Sequence, residues 1–396
     1  MSGTFSFDEL RRFPDLEADN LVAVDATDRL VLAEAAVAIR SAAAGEVVVV
    51  GDRYGAMTLG AMALYGAGEI RVHQDSLTGE QALAQNALSQ NALSQNALSQ
   101  NAARTGGEGF RQLALTPELF AGAAVVIGQL PKSLEALREI AQLAAAQARP
   151  EVTIFLGGRV KHMTRAMNDV LGERFRDVRA SLAKQKSRVL VATGPRQPAE
   201  IREADATAFP LRHHHLDLDL WVCAHGAAFA GTKVDIGTRF LLEFLDRMDP
   251  QAGSAVDLGC GTGVLAASLA RARPGLRVLA TDESAGAVSS ALATMAANDL
   301  DGRVQVLRDD AMSTLTAASA DLIVCNPPFH LGTSVHSGVS VKLFEAAGRV
   351  LRTDGQMWTV FNSHLPYLSQ LTRSVGPTQV IGRNRKFTVT CSTKAG

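Results

Sequence analysis

The sequence predicts an α/β fold built from two tandem Rossmann-like domains, and three observations carry that reading. A continuous β-branched run, Val47-Val48-Val49-Val50, closes in Gly51 and leads into an Ala/Leu/Met-rich stretch. The same succession of apolar strand, glycine turn and helix-like segment recurs in the second half, around Val256 and Gly259. Strand-like and helix-like segments then alternate through both halves at the spacing of βαβ units. Uninterrupted apolar runs suit strands buried on both faces, as in parallel sheets, whose connections are right-handed crossovers.

Taken in order, the first-half strands are expected at 46–51, 70–73, 124–128, 152–156 and 188–192. The second-half strands are expected at 255–258, 277–281, 304–307, 321–325, 356–361, 379–382 and 387–391. The halves join near 193–220, which gives domains 1–200 and 201–396. A length of 396 residues suits two domains of average size, and 47% hydrophobic residues can fill two cores. A net charge of −1 argues against a strongly basic nucleic-acid coat but leaves room for a local basic face. No run approaches the roughly 18 unbroken apolar residues of a membrane span. The start, Met1-Ser2-Gly3-Thr4-Phe5, lacks the cationic and apolar stretches of a secretory signal. Four scattered cysteines show neither metal spacing nor a disulfide framework, so the expected setting is the reducing cytoplasm.

One segment departs from this plan. Gln-Asn-Ala-Leu-Ser occurs three times in succession from Gln85 to Ser99. A period of five matches neither 3.6 nor 2, so the repeat as a whole cannot present one apolar face. An exposed insertion, helical or mobile, is expected at 85–99.

The second half carries the chemistry. Asp257-Leu258-Gly259-Cys260-Gly261-Thr262-Gly263 closes its first strand, and Val264 stands where a dinucleotide fingerprint has its third glycine. Gly-x-Gly-x-Gly after an acid suits S-adenosylmethionine better than NAD. Asp257, Gly259, Cys260, Gly261 and Gly263 are therefore candidate cofactor residues. Asp282 ends the second strand, where a carboxylate can accept from both ribose hydroxyls, although Asp is also a common helix cap. Asp309 and Asp310 follow the third strand. Asp310 is favoured for the adenine amino group because it directly precedes the small Ala311.

The most specific signal is Asn326-Pro327-Pro328-Phe329 at the end of the fourth strand. Two prolines end the ladder and stiffen the exit from the sheet. Such a corner can aim the Asn326 side-chain oxygen and the Pro327 carbonyl at one NH2 group, with Phe329 as a flat face beside it. An amine conjugated to a ring is a poor nucleophile, so gripping its hydrogens would favour a pyramidal nitrogen. That is catalysis by positioning and preorganised dipoles.

In this order, these motifs resemble the class I S-adenosylmethionine-dependent methyltransferases acting on amino nitrogens. Upstream, Phe229-Ala230-Gly231-Thr232-Lys233-Val234-Asp235-Ile236-Gly237-Thr238 is similar to the segment before the glycine motif in the ribosomal RNA guanine-N2 methyltransferases. The two-domain layout resembles the small-subunit methyltransferase C type, with a degenerate first methyltransferase-like domain and a working second. The resemblance implies that Phe229, Lys233 and Asp235, with Phe329, close the site over cofactor and base. The alternative is a linker in which Asp235 or Thr238 caps a helix at 239–245. It further implies ribosomal RNA or a ribosomal subunit as partner, with no metal and no membrane.

The first half lacks the pattern. Arg53 and Tyr54 stand in its glycine turn, its fourth strand ends in Gly128-Gln129-Leu130-Pro131-Lys132, and only Asp75 survives near its second strand. This domain is expected to bind no cofactor and to dock or shield substrate. Residues 159–188 hold nine Lys/Arg against three acids, a stripe that fits a phosphate backbone or a solvated face. Arg383-Asn384-Arg385-Lys386 is a smaller basic cluster. His213-His214-His215 lacks the acid partners of a metal site. Two other functions stay open: methylation of a protein glutamine amide, and a non-catalytic RNA-binding or assembly role.

Overall fold

The computed structural model describes residues 5–17, 21–94, 109–328 and 334–396. The chain divides into two units, Met1–Ala208 and Phe209–Gly396. The first holds strands β1 (Val47–Val50), β2 (Ile70–His73), β3 (Phe110–Gln112), β4 (Val125–Gln129), β5 (Thr153–Arg159), β6 (Phe175–Ala180) and β7 (Ser187–Pro195). Its helices are α1 (Ala26–Ser41), α2 (Ala56–Tyr65), α3 (Leu77–Ser94), α4 (Pro117–Phe120), α5 (Leu134–Gln147) and α6 (Arg165–Gly172). The second unit opens with a hairpin, β8 (Leu211–His215) and β9 (Leu220–Ala224). It continues with β10 (Ser254–Leu258), β11 (Arg277–Asp282), β12 (Val304–Arg308), β13 (Ala320–Cys325), β14 (Leu351–Asn362), β15 (Thr378–Arg383) and β16 (Phe387–Thr393). Its helices are α7 (Ile236–Leu242), α8 (Val264–Ala272), α9 (Ala285–Ala297), α10 (Ser334–Val350) and α11 (Tyr367–Ser374).

The two sheets share one topology. Strand order is β3-β2-β1-β4-β5-β7-β6 in the first unit and β12-β11-β10-β13-β14-β16-β15 in the second. In each sheet one strand, β7 or β16, runs antiparallel to both its neighbours, and the other six share one direction. Each sheet carries an apolar layer on both faces. In the second unit, Leu241, Leu265 and Ala291 of α7, α8 and α9 cover one face, and Phe344 and Leu371 of α10 and α11 cover the other. This double burial explains the continuous apolar runs of the central strands.

All twelve expected strands form. Two first-unit strands were not legible in sequence: β3 has only three residues, and β6 (Phe-Arg-Asp-Val-Arg-Ala) is an edge strand in which charge masks the alternation. The hairpin β8–β9 lies in the stretch expected to be a junction. It is held by side chains of α9: Thr294 Oγ1 accepts from Cys223 N (3.0 Å), and Ser290 Oγ accepts from His225 N (2.8 Å).

The first repeat copy is no exposed insertion. It belongs to α3, where Asn86 and Ala87 are buried and Leu88 faces outward. Asn86 Oδ1 accepts from Arg11 N (2.9 Å), while Nδ2 donates to the carbonyls of Arg11 and Tyr54 (2.8 Å each). The buried face of α3 is formed by Ala82, Leu83 and Ala87 with Asn86, whose amide these partners satisfy. The copy at 95–99 lies outside the described residues. Among the described residues, no helix is long and apolar enough to cross a membrane.

The glycine turns of the two units have nearly the same backbone. Gly51, Arg53 and Gly55 have φ of 66°, 62° and 96°; Gly259, Gly261 and Gly263 have 74°, 54° and 79°. Arg53 therefore keeps a left-handed conformation that disfavours a residue with a Cβ. Above it, Tyr54 is buried and its hydroxyl donates to Asp15 Oδ2 (2.5 Å), with Arg12 over its ring. The turn survives as a shape and is filled by side chains.

In the second unit, buried Asp257 Oδ2 accepts from Ala266 N (2.9 Å) in the first turn of α8. Burial, with help from Asp282, pushes its carboxyl from 3.8 up to about 7. Between those values the unfolded chain gives up a proton that the folded chain keeps. This group therefore makes stability fall as pH rises from 3.8 to about 7, with no further loss above.

Two outcomes follow. Asn86→Ala should lower the first unit's stability by about 2 kcal/mol by stranding buried backbone groups, read as a urea midpoint by circular dichroism. Both tryptophans, Trp221 and Trp358, lie in the second unit, so the fluorescence transition should not move. Asp257→Asn should flatten the decline of the fluorescence-detected midpoint across that pH window; an unchanged slope would contradict the burial argument.

Candidate active site

The strand order reverses between β10 and β13, and ligands of open α/β sheets bind at such switch points beyond the carboxyl ends. Leu258 and Cys325 are register partners, so Gly259 and Asn326 leave the sheet side by side. A Cβ added at Gly259 or Gly261 would meet nothing within 4 Å, whereas their positive φ excludes most side chains. These two glycines thus shape open space at the switch point. Gly263, expected among the cofactor residues, also sits at a close packing point. A Cβ there would lie 2.7 Å from Met295 Cε and 3.2 Å from Ala291 Cβ, so it lets α8 pack against α9. The Cys260 side chain is buried in the apolar core, and burial raises its thiol well above the ordinary range. It fills space there and is not a thiolate.

The carboxylates divide by what already holds them. Asp282 Oδ2 accepts from Gly261 N (3.0 Å) and Oδ1 from Ser284 N (2.9 Å), tying the tip of β11 to the glycine turn. Asp257 offers one oxygen to α8, and its Oδ1 is buried without a hydrogen-bond partner. Asp309 is spent on its own turn: it accepts from the amides and hydroxyls of Ser313 and Thr314. Burial raises its carboxyl, but those bonds outweigh it and hold the group below its usual range. Asp310 is the one left, and it pairs with Lys342 of α10.

At the β13 corner, Asn326 is half-buried, Pro327 is buried and Pro328 is exposed. Asn326 Nδ2 donates to Asp235 Oδ2 (3.0 Å) and Thr238 Oγ1 (2.9 Å). Its Oδ1 is buried without a partner, 3.4 Å from where a Cβ on Gly237 would sit. Phe387 approaches the same point, its Cε1 3.3 Å from that position. Phe329 lies outside the described residues.

Of the two readings of the upstream segment, helix capping by Asp235 is the one the structure displays. Asp235 is the N-cap of α7, accepting from Gly237 N (2.8 Å) and Thr238 N (3.3 Å), and α7 starts three residues before the helix expected at 239–245. Asp235 reaches the site through Asn326. Phe229 and Lys233 are exposed. From sequence, Thr238 is only a candidate helix cap and Phe387 is not singled out at all; the fold brings Thr238 to Asn326 and Phe387 to the same side of Gly237.

Elsewhere, the basic stripe is partly internal. Arg174 is buried and donates to the Asp205 carbonyl (2.6 Å), and Arg176 pairs with Glu200 (2.6 Å). Lys161, Arg165, Arg179, Lys184 and Lys186 are exposed, as are Arg383, Arg385 and Lys386. His215 Nε2 donates to the Thr232 carbonyl (2.7 Å), and His214 stacks on Trp221. Among the described residues, no cluster of His, Cys, Asp or Glu could hold a metal ion.

Comparisons with known proteins identify the family and the fold. The methyltransferase small domain matches residues 219–391, and the RLMG N-terminal domain matches residues 2–196. A ribosomal RNA large subunit methyltransferase G from Streptomyces avermitilis is 32% identical over 96% of this chain and 95% of its own. The protein of that name from Shewanella amazonensis is 31% identical, covering 98% and 97%. A solved 16S rRNA N2 G1207 methyltransferase (RsmC) from T. thermophilus, in complex with AdoMet and guanosine, shares the fold. Its TM-score is 0.68 at 21% identity, covering 93% of this chain and 92% of its own. The expected likeness to the methyltransferase C type thus holds for the architecture, while the relatives at higher identity carry the large-subunit name. This chain belongs to the ribosomal RNA large subunit methyltransferase G family and is an S-adenosylmethionine-dependent methyltransferase.

Proposed function

We propose that this protein methylates the exocyclic N2 amine of a guanine in large-subunit ribosomal RNA. The observation that carries the reading is Asn326 Oδ1, a buried acceptor without a partner at the switch point. A buried unmet acceptor costs free energy, and it is well placed to grip an NH2 group. The cofactor fits the residues present: Gly259 and Gly261 leave open space, and Asp257 keeps an unsatisfied buried oxygen.

When bound, S-adenosylmethionine supplies an electrophilic methyl group. Gly259, Gly261, Asp282 and Asp310 hold it, and Asp257 sets the charge beneath the turn. Asn326 Oδ1 and the Pro327 carbonyl accept hydrogen bonds from the amine and direct its lone pair, with Phe329 as a stacking face for the base. The amine proton leaves to solvent after transfer, so no general base is required. The base must leave its stack to reach this corner. The exposed basic residues of 159–188 and of Arg383–Lys386 would follow the RNA backbone. The first unit, its turn filled by Arg53 and Tyr54, would dock RNA without a cofactor of its own. The large-subunit name and ribosomal substrate of the relatives favour RNA over a protein glutamine, and a cytoplasmic site of action goes with that substrate.

Asn326→Ala should lower kcat by about 100-fold or more, as loss of a preorganised acceptor does, while cofactor affinity by calorimetry stays nearly unchanged. If affinity collapses and turnover per bound cofactor does not, Asn326 has been assigned wrongly. Nucleoside mass mapping of ribosomal RNA from cells lacking the protein should show one missing N2-methylguanosine in the large subunit. Methyl label appearing only in protein would sink the RNA reading.

A further inference from the structure

We propose that Thr238 and Asp235 are positioning residues, which set the direction of the Asn326 carboxamide and so decide that its oxygen faces the amine. This rests on the function proposed above. Both hydrogens of Nδ2 are engaged, one by Asp235 Oδ2 at 3.0 Å and one by Thr238 Oγ1 at 2.9 Å. An ionised carboxylate can only accept. Turning the amide over would set Oδ1 against Asp235 Oδ2, two acceptors at hydrogen-bond distance with no proton between them. The carbonyl oxygen is therefore held on the opposite side, where it has no protein partner.

Asp235 is itself immobile, because the oxygen that receives Asn326 also accepts from Gly237 N and Thr238 N as the cap of α7. Gly237 has no side chain to intrude: a Cβ would come within 2.9 Å of Asp235 Oδ2 and 3.4 Å of Asn326 Oδ1. An amide donating to a carboxylate also carries more negative charge on its own oxygen, which makes it a better acceptor. Orientation and acceptor strength thus pass from a helix terminus to the reacting nitrogen through one side chain.

A counterpart in the first unit shows why a structural role must be tested against this. Gln129 occupies the register position of Asn326, after Gly128, the partner of Val50. Its Nε2 donates to Asp28 Oδ1 (2.6 Å) in the first turn of α1, whose N-cap is Asp25. An amide bonded to the first turn of the unit's first α-helix is thus present where no acceptor corner exists.

The test uses the full chain with Thr238→Val, Thr238→Ser and the pair Asn326→Ala/Thr238→Val. Thr238→Val should lower kcat about tenfold, with KM for RNA, cofactor affinity and the fluorescence-detected unfolding midpoint little changed. Thr238→Ser, which keeps the acceptor, should recover most of the rate. Thr238→Val should cost nothing further in the Asn326→Ala background, since it acts through that side chain. A wild-type kcat in Thr238→Val, a loss that Ser does not rescue, or additive losses in the pair would overturn the proposal. If Asn326→Ala alone retains wild-type turnover, the proposed function falls, and the positioning role with it.

Discussion

The pairing of β10 with β13 is the constraint on which the rest of the second unit depends. Parallel registration of Leu258 with Cys325 releases the glycine turn and the Asn-Pro-Pro corner at the same level, on adjacent strands where the strand order reverses. Each motif alone is a strand-ending turn. Side by side, open space shaped by Gly259 and Gly261 lies next to a buried, unmet acceptor. A slip of one residue would send every side chain of the slipped strand to the other face of the sheet. The apolar layers of α7–α9 and α10–α11 oppose that slip by burying both faces of the same strands.

The two units show how one topology separates from one chemistry. They share strand order, the left-handed φ values of the turn and an amide bonded to the first turn of the unit's first α-helix. They differ in what fills the space. Arg53 adopts a backbone angle that suits glycine, and Tyr54 is locked by Asp15 and Arg12 above the first turn. Asp28, against Gln129, is pushed up to about 7 by burial and by Asp25. Backbone shape is set by the sheet and its crossovers and so outlasts the site, which depends on a few side chains.

Acidic groups around the second switch point illustrate how burial sorts similar residues. Asp309 and Asp310 are neighbours in sequence, yet one is saturated by four hydrogen bonds from its own turn and the other faces Lys342. Asp257 lies under the turn with one oxygen unmatched, held up by desolvation. Asp282 joins the second strand to the glycine loop. Residue type and spacing could not separate these roles, because each depends on which backbone amides the fold delivers.

The sequence by itself determined the class of fold, the seven strands of the second unit's large sheet, the absent motifs of the first, and the family of reaction. Those features live in local order: apolar runs that need two covered faces, glycines at alternate positions, and a double proline that stops a strand. Only tertiary structure decided that α8 packs on α9 at Gly263, that the Cys260 side chain lies in the core, that the first repeat copy is anchored through Asn86, and that Asp235 bonds to Asn326. The same holds for the bond from Asn326 to Thr238, which local order marks only as a candidate helix cap, and for Phe387, which it does not mark. Eighty-eight residues separate Thr238 from Asn326. Their meeting follows from where the sheet places α7 relative to β13, a long-range consequence of packing that the one-dimensional pattern does not encode.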